Sequence, residues 1–139
     1  MQVPFVCFDP ELPATYRPFP TDAGADVFAL ADTRVGAFET TRVPLNLAVA
    51  LPAGYYALLA GRSSVAARGL LVHVGTVDQG YRGQLHVAVT NLRNDEQVVR
   101  RGERIAQLIV LPFVAPEFVQ VAELATSERA ERGWGSSGR

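Results

Sequence analysis

Three absences in the 139-residue sequence each exclude a class of protein. The chain has one cysteine, Cys7, so neither an intrachain disulfide nor a cluster of metal-binding thiolates can form within it. No apolar run approaches the roughly 18 residues that a membrane-spanning helix requires. Lysine is absent, and although all 13 basic residues are arginine the net charge is only −1. This balance argues against stable binding to nucleic acid or anionic membranes, which needs a basic excess.

What is present fits one soluble domain. Apolar residues make up 48% of the chain and charged residues 19%, a balance that excludes a disordered protein. A chain of this length buries roughly two thirds of its extended surface on folding, which is enough for one hydrophobic core. The first ten residues carry no basic segment and their apolar run is broken early, so they make a poor signal peptide. We therefore expect a cytoplasmic protein with a buried Cys7.

Short apolar segments separated by turn residues predict an all-β fold. One short helix is expected at residues 63–68, with Ser63 or Ser64 as its amino-terminal cap and Gly69 at its end. Because closure removes exposed sheet edges, we expect a barrel or jelly roll. Apart from the proline-rich loop 10–20, the candidate strands lie at 3–8, 25–30, 41–49, 55–60, 70–74, 85–89, 97–99, 105–113 and 118–122.

The stretch 75–84, Gly-Thr-Val-Asp-Gln-Gly-Tyr-Arg-Gly-Gln, lies between two of these strands and is typical of a β-hairpin tip. It carries more chemistry than a turn requires, because a carboxylate, a phenol and a guanidinium fall within five residues. A lone aspartate in such a tip usually satisfies turn amides. Beside Tyr81, and between glycines that let a ligand approach the backbone, Asp78 is instead a candidate general base that polarises a water.

Two other segments are candidates for contact with an anion. Arg62-Ser63-Ser64 would place a guanidinium, hydroxyls and unpaired amides at a helix amino terminus, although a capped helix with a solvated arginine explains the same residues. The segment Ala-Gly-Ala-Asp puts Asp26 at the start of a strand. The alternative to a ligand contact there is that Asp26 simply caps a bend. The two histidines, His73 and His86, lack the further ligands of a zinc site.

The final segment, residues 129–139, has the composition of a flexible tail, and a disordered end is the ordinary interpretation. It also contains the only tryptophan, Trp134, between two glycines, and arginines that precede Ser136 and Ser137. These residues could stack on a ring and grip a phosphate. We therefore predict a domain at residues 1–126 and a flexible C-terminal arm at 127–139 that closes over a ligand.

Together, five segments resemble in order and spacing the motifs of one family, the homotrimeric dUTP diphosphatases or dUTPases. No single motif is specific, but five in sequence make a chance match improbable. The resemblance covers the whole chain. The segments are Ala-Gly-Ala-Asp-Val-Phe-Ala (23–29), Gly-Arg-Ser-Ser-Val-Ala (61–66), Gly-Thr-Val-Asp-Gln-Gly-Tyr-Arg-Gly (75–83), Gly-Glu-Arg-Ile-Ala-Gln-Leu (102–108) and Arg-Ala-Glu-Arg-Gly-Trp-Gly-Ser-Ser-Gly (129–138).

The resemblance implies a jelly roll, or β-clip barrel, that assembles as a homotrimer with each active site built from three subunits. It implies hydrolysis of dUTP to dUMP and pyrophosphate with Mg²⁺, which limits uracil in DNA and supplies dUMP for dTMP synthesis. Asp78 would be the general base for the water that attacks the α-phosphorus. Tyr81 would lie under the deoxyribose and leave no room for a ribose 2′-hydroxyl.

By the same resemblance, the substrate is held by several separate groups. The backbone at Gly75 and His86 would contact uracil, and Asp26 would hold waters of the Mg²⁺. None of the departures from the family pattern removes a catalytic group; they are Gly61 for proline, Arg68 directly before Gly69, Ala130 for glycine and Trp134 for phenylalanine. The phosphates would be bound by Arg62, Ser63, Ser64 and Gln107, with Arg129, Ser136 and Ser137 on the γ-phosphate and Trp134 over the uracil.

Two alternatives stay open. The dCTP deaminases share this fold, the Arg-Ser-Ser segment and the hairpin, but they need an acid/base glutamate ten positions after the aspartate, where this chain has Ala88. A non-catalytic jelly-roll binding module would keep the strands, but it has no need of the arginine, serine and tryptophan arm.

Overall fold

The structure, a computed structural model, describes residues 1–127 and is built almost entirely of β-strands. It confirms the predicted all-β class with one short helix. No helix in this part of the chain is long and apolar enough to cross a membrane. The strands are β1 (Phe5–Val6), β2 (Thr15–Tyr16), β3 (Ala25–Phe28), β4 (Thr33–Val35), β5 (Thr40–Pro44), β6 (Ala48–Val49), β7 (Tyr55–Gly61), β8 (Leu70–Val72), β9 (Gly75–Val77), β10 (His86–Asn91), β11 (Gln97–Val99) and β12 (Arg104–Pro112), and the helix is α1 (Ser63–Ala67).

The strands form two larger sheets and two separate pairs. The largest sheet has the order β2-β3-β12-β7-β9, and the second has the order β5-β10-β8. The pairs are β1-β6 and β4-β11. All the pairings within residues 1–127 are antiparallel, yet many neighbours are distant in sequence, so the chain passes repeatedly between sheets. This connectivity is that of a jelly roll and not of a simple meander.

The core lies between the sheets because the strands alternate buried and outward-facing residues. In β10, Val87, Val89 and Asn91 are buried and the residues between them are partly exposed. Ile105 of β12 and Leu45, which follows β5, are fully buried in the same apolar cluster. The alternate positions of these strands are left for polar side chains, and the candidate site uses them.

The continuous strand predicted at residues 41–49 is wrong, because a buried asparagine separates β5 from β6. Asn46 is fully buried and bonds to the backbone of the N-terminal segment. Its Oδ1 accepts from the amides of Phe8 (3.1 Å) and Asp9 (2.7 Å), and its Nδ2 donates to the carbonyl of Asp9 (3.0 Å). Within the strand predicted at residues 3–8 only β1 forms, and Cys7 is only partly buried.

Three smaller differences involve short or exposed segments. β2 and β4 are absent from the prediction because they span only two and three residues. β2 forms inside the proline-rich loop at the edge of its sheet, where neighbouring prolines break no ladder. The candidate strand at 118–122 is wrong, because this stretch is irregular and Phe118 is 92% exposed.

The helix α1 lies where predicted, but its cap differs. Arg62, with an extended backbone (φ −93°, ψ 145°), precedes the first turn, and its side chain makes no capping hydrogen bond. A cap by Ser63 or Ser64 is therefore wrong, since both lie inside the helix. Gly69, with φ +80°, follows the helix as predicted, because glycine adopts this left-handed conformation without strain.

The stretch 75–84 is more than a hairpin tip. β8 and β10 pair as predicted, with Val72 opposite Val89. Between them β9 leaves this sheet and pairs with β7 at the edge of the large sheet, where Val77 lies opposite Ala57. The chain then turns and returns to β10. The stretch therefore connects the two sheets, and the candidate site lies at this junction.

Candidate active site

A cleft of about 260 Å³ opens where β9 and β10 separate. It brings together four residues that the sequence predicts for one site, namely Gly75, Asp78, Tyr81 and His86. We call it the hairpin cleft. Its other lining residues are Arg42, Leu59, Thr76, Val77, Gln84 and Leu85.

Asp78 is exposed at the start of the turn. Within the described part of the chain its carboxylate makes no hydrogen bond or ion pair, while its backbone carbonyl accepts from the amide of Tyr81 (3.0 Å). The usual role of a turn aspartate, which is to satisfy turn amides with its side chain, therefore does not apply. The carboxylate is available to a water or a ligand in the cleft.

Tyr81 folds back over the turn. Its hydroxyl donates to the carbonyl of Gln84 (3.0 Å), and a Cβ added at Gly83 would lie 2.5 Å from that hydroxyl oxygen. Gly83 is therefore required because a larger residue would displace the phenol. Tyr81 is 46% exposed and lines the cleft, so a ligand there can contact it.

The guanidinium of the tip, Arg82, has a structural role. The Nη1 of Arg82 donates to the carbonyls of Gln79 (2.7 Å) and Tyr81 (2.9 Å), so the guanidinium braces the turn. Arg82 is not among the residues that line the hairpin cleft. The cluster of three functional groups seen in the sequence thus divides into two groups for the cleft and one for the turn.

His86 is held by Gln84, which lies just before β10, and by Arg42 of β5. Its Nδ1 lies 3.0 Å from the carbonyl of Gln84, which can only accept, so the proton is assigned to Nδ1. Its Nε2 lies 3.4 Å from Nη2 of Arg42. Arg42 is absent from the sequence prediction, because only the cross-strand pairing of β5 with β10 brings it to the cleft.

A second cleft, of about 430 Å³, contains three of the predicted phosphate-binding residues: Arg62, Ser63 and Gln107. We call it the arginine cleft. Ser64 is exposed and does not line it. Gln107 of β12 packs against Gly24, where an added Cβ would lie 2.5 Å from Oε1 of the amide. A side chain at Gly24 would therefore push the amide of Gln107 out of its observed position.

Asp26 is held between two guanidinium groups. Its Oδ1 lies 3.0 Å from Nε of Arg62, and its Oδ2 accepts from Nη1 of Arg104 (3.2 Å). Arg62 also donates from Nη1 to the backbone carbonyl of Arg104 (3.0 Å). One carboxylate between two cations leaves an excess of one positive charge, which favours an anion in the adjoining cleft. Arg104 lies within the fourth family-like segment, but the sequence predicted no role for it.

The two clefts share no lining residue in one chain. No group of three or more histidine, cysteine, aspartate or glutamate side chains in residues 1–127 is placed to hold a metal ion. Four predicted site residues, Arg129, Trp134, Ser136 and Ser137, lie outside the described residues, as does almost all of the arm predicted at 127–139.

Sequence comparison connects this chain with one family. The model of the dUTPase family matches residues 11–138. The deoxyuridine 5′-triphosphate nucleotidohydrolase of Bifidobacterium longum subsp. infantis is 44% identical over 135 residues, covering 94% of this chain and 85% of the relative. The enzyme of the same name from Mycolicibacterium gilvum is 42% identical over 142 residues, covering 96% and 92%.

Structural comparison agrees. The dUTPase of Staphylococcus bacteriophage 80alpha with dUPNHPP has a TM-score of 0.91 at 29% identity, with 99% of each chain covered. A mutant dUTPase from phage phi11 of S. aureus, whose structure reveals the coordination of a structural Mg(II) ion, has a TM-score of 0.81 at 24% identity, covering 88% of this chain and 98% of that one. These likenesses confirm the predicted jelly-roll fold.

Proposed function

Since the chain belongs to the dUTPase family, we propose that it is a dUTP diphosphatase, which hydrolyses dUTP to dUMP and pyrophosphate. The observation that carries this proposal is the hairpin cleft, where the free carboxylate of Asp78, the phenol of Tyr81 and the backbone of β9 meet. In a cell such an activity limits uracil in DNA and supplies dUMP for dTMP synthesis.

The backbone of β9 selects the base. β9 is the edge strand of its sheet, so one row of its amide and carbonyl groups is not used by β7. Uracil presents acceptor, donor, acceptor along its pairing edge, whereas cytosine presents donor, acceptor, acceptor. A fixed backbone pattern near Gly75 and His86 that pairs with the first leaves unpaired groups against the second. We expect the same site to refuse thymine, because its 5-methyl group would have to fit beside this backbone.

Tyr81 contacts the deoxyribose, and Asp78 activates the attacking water. The face of Tyr81 packs under the deoxyribose and excludes a 2′-hydroxyl. Asp78 accepts a proton from a water while the oxygen of that water forms a bond to the α-phosphorus. The bond from that phosphorus to the α,β-bridging oxygen breaks, and pyrophosphate leaves with the electron pair.

The phosphates are bound in the arginine cleft by Arg62, Ser63 and Gln107, with Ser64 at its margin. When bound with the triphosphate, Mg²⁺ would supply neutralisation of charge on the phosphate oxygens. Asp26 can accept hydrogen bonds from waters bound to that Mg²⁺. A carboxylate has about four acceptor positions, and each oxygen of Asp26 has one arginine partner, so acceptor positions remain. Arg129, Ser136 and Ser137 of the arm grip the γ-phosphate, and Trp134 covers the uracil.

The assembly is a homotrimer with shared sites. One substrate must reach both the hairpin cleft and the arginine cleft. In one chain these clefts share no lining residue, which supports a site made from the hairpin cleft of one subunit and the arginine cleft of another. A second observation supports assembly. Val114, Phe118 and Leu124 are 87%, 92% and 88% exposed, and an apolar segment this exposed indicates burial against another chain.

A nucleotide panel tests the activity. With Mg²⁺ we expect pyrophosphate release from dUTP to exceed that from dCTP, dTTP and UTP by roughly a hundredfold or more in kcat/KM, because unpaired polar groups penalise the wrong base. Comparable turnover of dCTP, or a uracil product from it, would support the deaminase alternative. If no nucleotide is turned over, the remaining hypothesis is the non-catalytic binding module.

A further inference from the structure

Tyr16 has no role in the reaction as described, although it is placed beside the arginine cleft. It lies on β2, outside the five family-like segments, and pairs in register with Asp26 of β3. Tyr16 is 47% exposed, so it contributes little to the core. The guanidinium carbon of Arg104 lies over that ring, 5.0 Å from its centre. This is the distance at which a cation and an aromatic face attract.

The contact continues toward the arginine cleft. Arg104 pairs with one oxygen of Asp26, and Arg62 pairs with the other. Arg62 is tied a second time, through the carbonyl of Arg104. The three side chains thus form a connected chain from Tyr16 to the guanidinium that lines the cleft. The stacking contact is the longest of these links, and each of the others spans 3.2 Å or less.

The arrangement needs an external support because it holds like charges close together. Arg62 and Arg104 repel each other, and only one carboxylate lies between them. The Arg104 side chain is 41% exposed, so a solvated conformation competes with the paired one. Stacking on Tyr16 selects the conformation that reaches Asp26, since guanidinium groups stack well on aromatic faces.

We propose that Tyr16 is a positioning residue for the triphosphate, acting through Arg104 and Asp26 on the guanidinium of Arg62. The inference rests on the proposed function in one respect, which is that Arg62 contacts the phosphates. It adds a residue from the proline-rich loop to the site. An aromatic side chain at this position then sets how well the triphosphate is held, and it leaves the nucleoside half unaffected.

The test compares two ligands that differ in their phosphates. The dissociation constant of dUPNHPP with Mg²⁺ reports on both halves of the site, and the inhibition constant of deoxyuridine reports on the hairpin cleft alone. We expect Tyr16→Leu to raise the dissociation constant of dUPNHPP by about two- to fivefold, the range of an exposed cation–π contact. The inhibition constant of deoxyuridine should stay unchanged. Tyr16→Phe, which keeps the ring, retains the affinity for dUPNHPP. Phe19→Leu removes an exposed ring of the same loop and serves as the matched control.

A double-mutant cycle locates the effect. In an Arg104→Gln background, Tyr16→Leu should cause no further loss of dUPNHPP affinity, because the link it acts through is gone. Melting temperatures of all variants show whether they fold. An additive loss, an equal loss for deoxyuridine, an equal loss in Tyr16→Phe, or wild-type affinity in Tyr16→Leu would overturn the proposal. If the unmutated protein releases no pyrophosphate from dUTP, the proposed function fails; if it does and Tyr16→Leu binds normally, only the role of Tyr16 fails.

Discussion

At the scale of single residues, the site depends on what glycines permit and on what carboxylates are left free. Gly83 and Gly24 make room for Tyr81 and Gln107, respectively, because an added Cβ at either position would lie 2.5 Å from the side chain it admits. Asp78 and Asp26 have the same chemical group but opposite surroundings. Asp26 is paired with two arginines, whereas Asp78 has no side-chain partner within residues 1–127. Only Asp78 can therefore take a proton from a water without breaking an existing ion pair.

Gly75 tests the role of the β9 backbone. A Cβ there would lie 3.8 Å from Leu59, an ordinary contact, and would project among residues that line the hairpin cleft. Gly75→Ala should keep the stability or raise it by about 0.5 kcal/mol, because glycine is unfavourable within a strand. It should raise KM for dUTP roughly tenfold or more, the effect of one misplaced methyl group in a tight pocket.

Steady-state kinetics and thermal melting of Gly75→Ala measure these two effects separately. Gly80→Ala is the matched control, because an added Cβ at Gly80 meets nothing within 4 Å and Gly80 does not line the hairpin cleft. A normal KM in Gly75→Ala would mean that the base does not approach this strand.

At the scale of elements, the N-terminal segment is attached to the turn before β12 by charged side chains. Arg101 donates to Oδ2 of Asp9 from Nε (3.0 Å) and Nη2 (2.5 Å), and its backbone amide donates to Asp32 (2.8 Å). The hydrogen bonds from Arg101 and from the amide of Glu11 hold the pKa of Asp9 below its usual 3.8. The pKa of Asp32 is lowered by the Arg101 amide and by Arg100.

The lowered pKa of Asp9 predicts a pH dependence. A carboxylate whose pKa is lower in the folded state stabilises the fold above pH 3.8, and this contribution is lost as the pH falls through the lower, folded value. Asp9→Asn should therefore melt at a lower temperature than the unmutated protein at pH 7, and the difference should close below pH 3.8.

Thermal melting between pH 7 and pH 3 checks this expectation. Asp32→Asn should behave in the same way, because its pKa is shifted in the same direction. Glu117→Gln, in the irregular segment after β12, should melt like the unmutated protein at every pH. A constant difference between Asp9→Asn and the unmutated protein across this range would contradict the assignment.

The elements also show where sequence reasoning succeeds and where it stops. Apolar segments between turn residues located β7, β10, β11 and β12 to within one or two residues, because those features are local. The departure of β9 to the other sheet was not predictable, since pairing with β7 depends on contacts distant in sequence. Asn46 gave no signal either, because its partners lie more than 30 residues away. Asp26 and Arg62 were predicted from the family-like segments that contain them. Their link to Tyr16 depends on contacts between separate strands, so it appeared only in the structure.

At the scale of the whole molecule, two clefts in one chain predict subunit complementation. Asp78→Asn should bind dUTP but not turn it over, and Arg62→Gln should bind the phosphates poorly, so each variant alone is inactive. In a trimer that contains both, one site pairs an intact Asp78 with an intact Arg62 of a different subunit. A random one-to-one mixture should recover about a quarter of the unmutated activity, since three quarters of the trimers are mixed and each has one working site of three.

Refolding the two variants together, and assaying the mixture against each variant refolded alone, measures this recovery. Light scattering on the same samples gives the oligomeric state. A mixture that stays inactive although it contains mixed trimers would place both residues in the same subunit's site, and a monomer by light scattering would contradict the shared-site model at once.

The guanidinium of Arg82 ties two carbonyls of the turn together, so this turn is braced without any ligand present. A preorganised template loses little entropy on binding, and it cannot rearrange to accommodate a base with the wrong pattern. Under the proposed function, selection beside this turn would therefore act through residence time. A wrong nucleotide would leave quickly, and the right one would stay long enough to react.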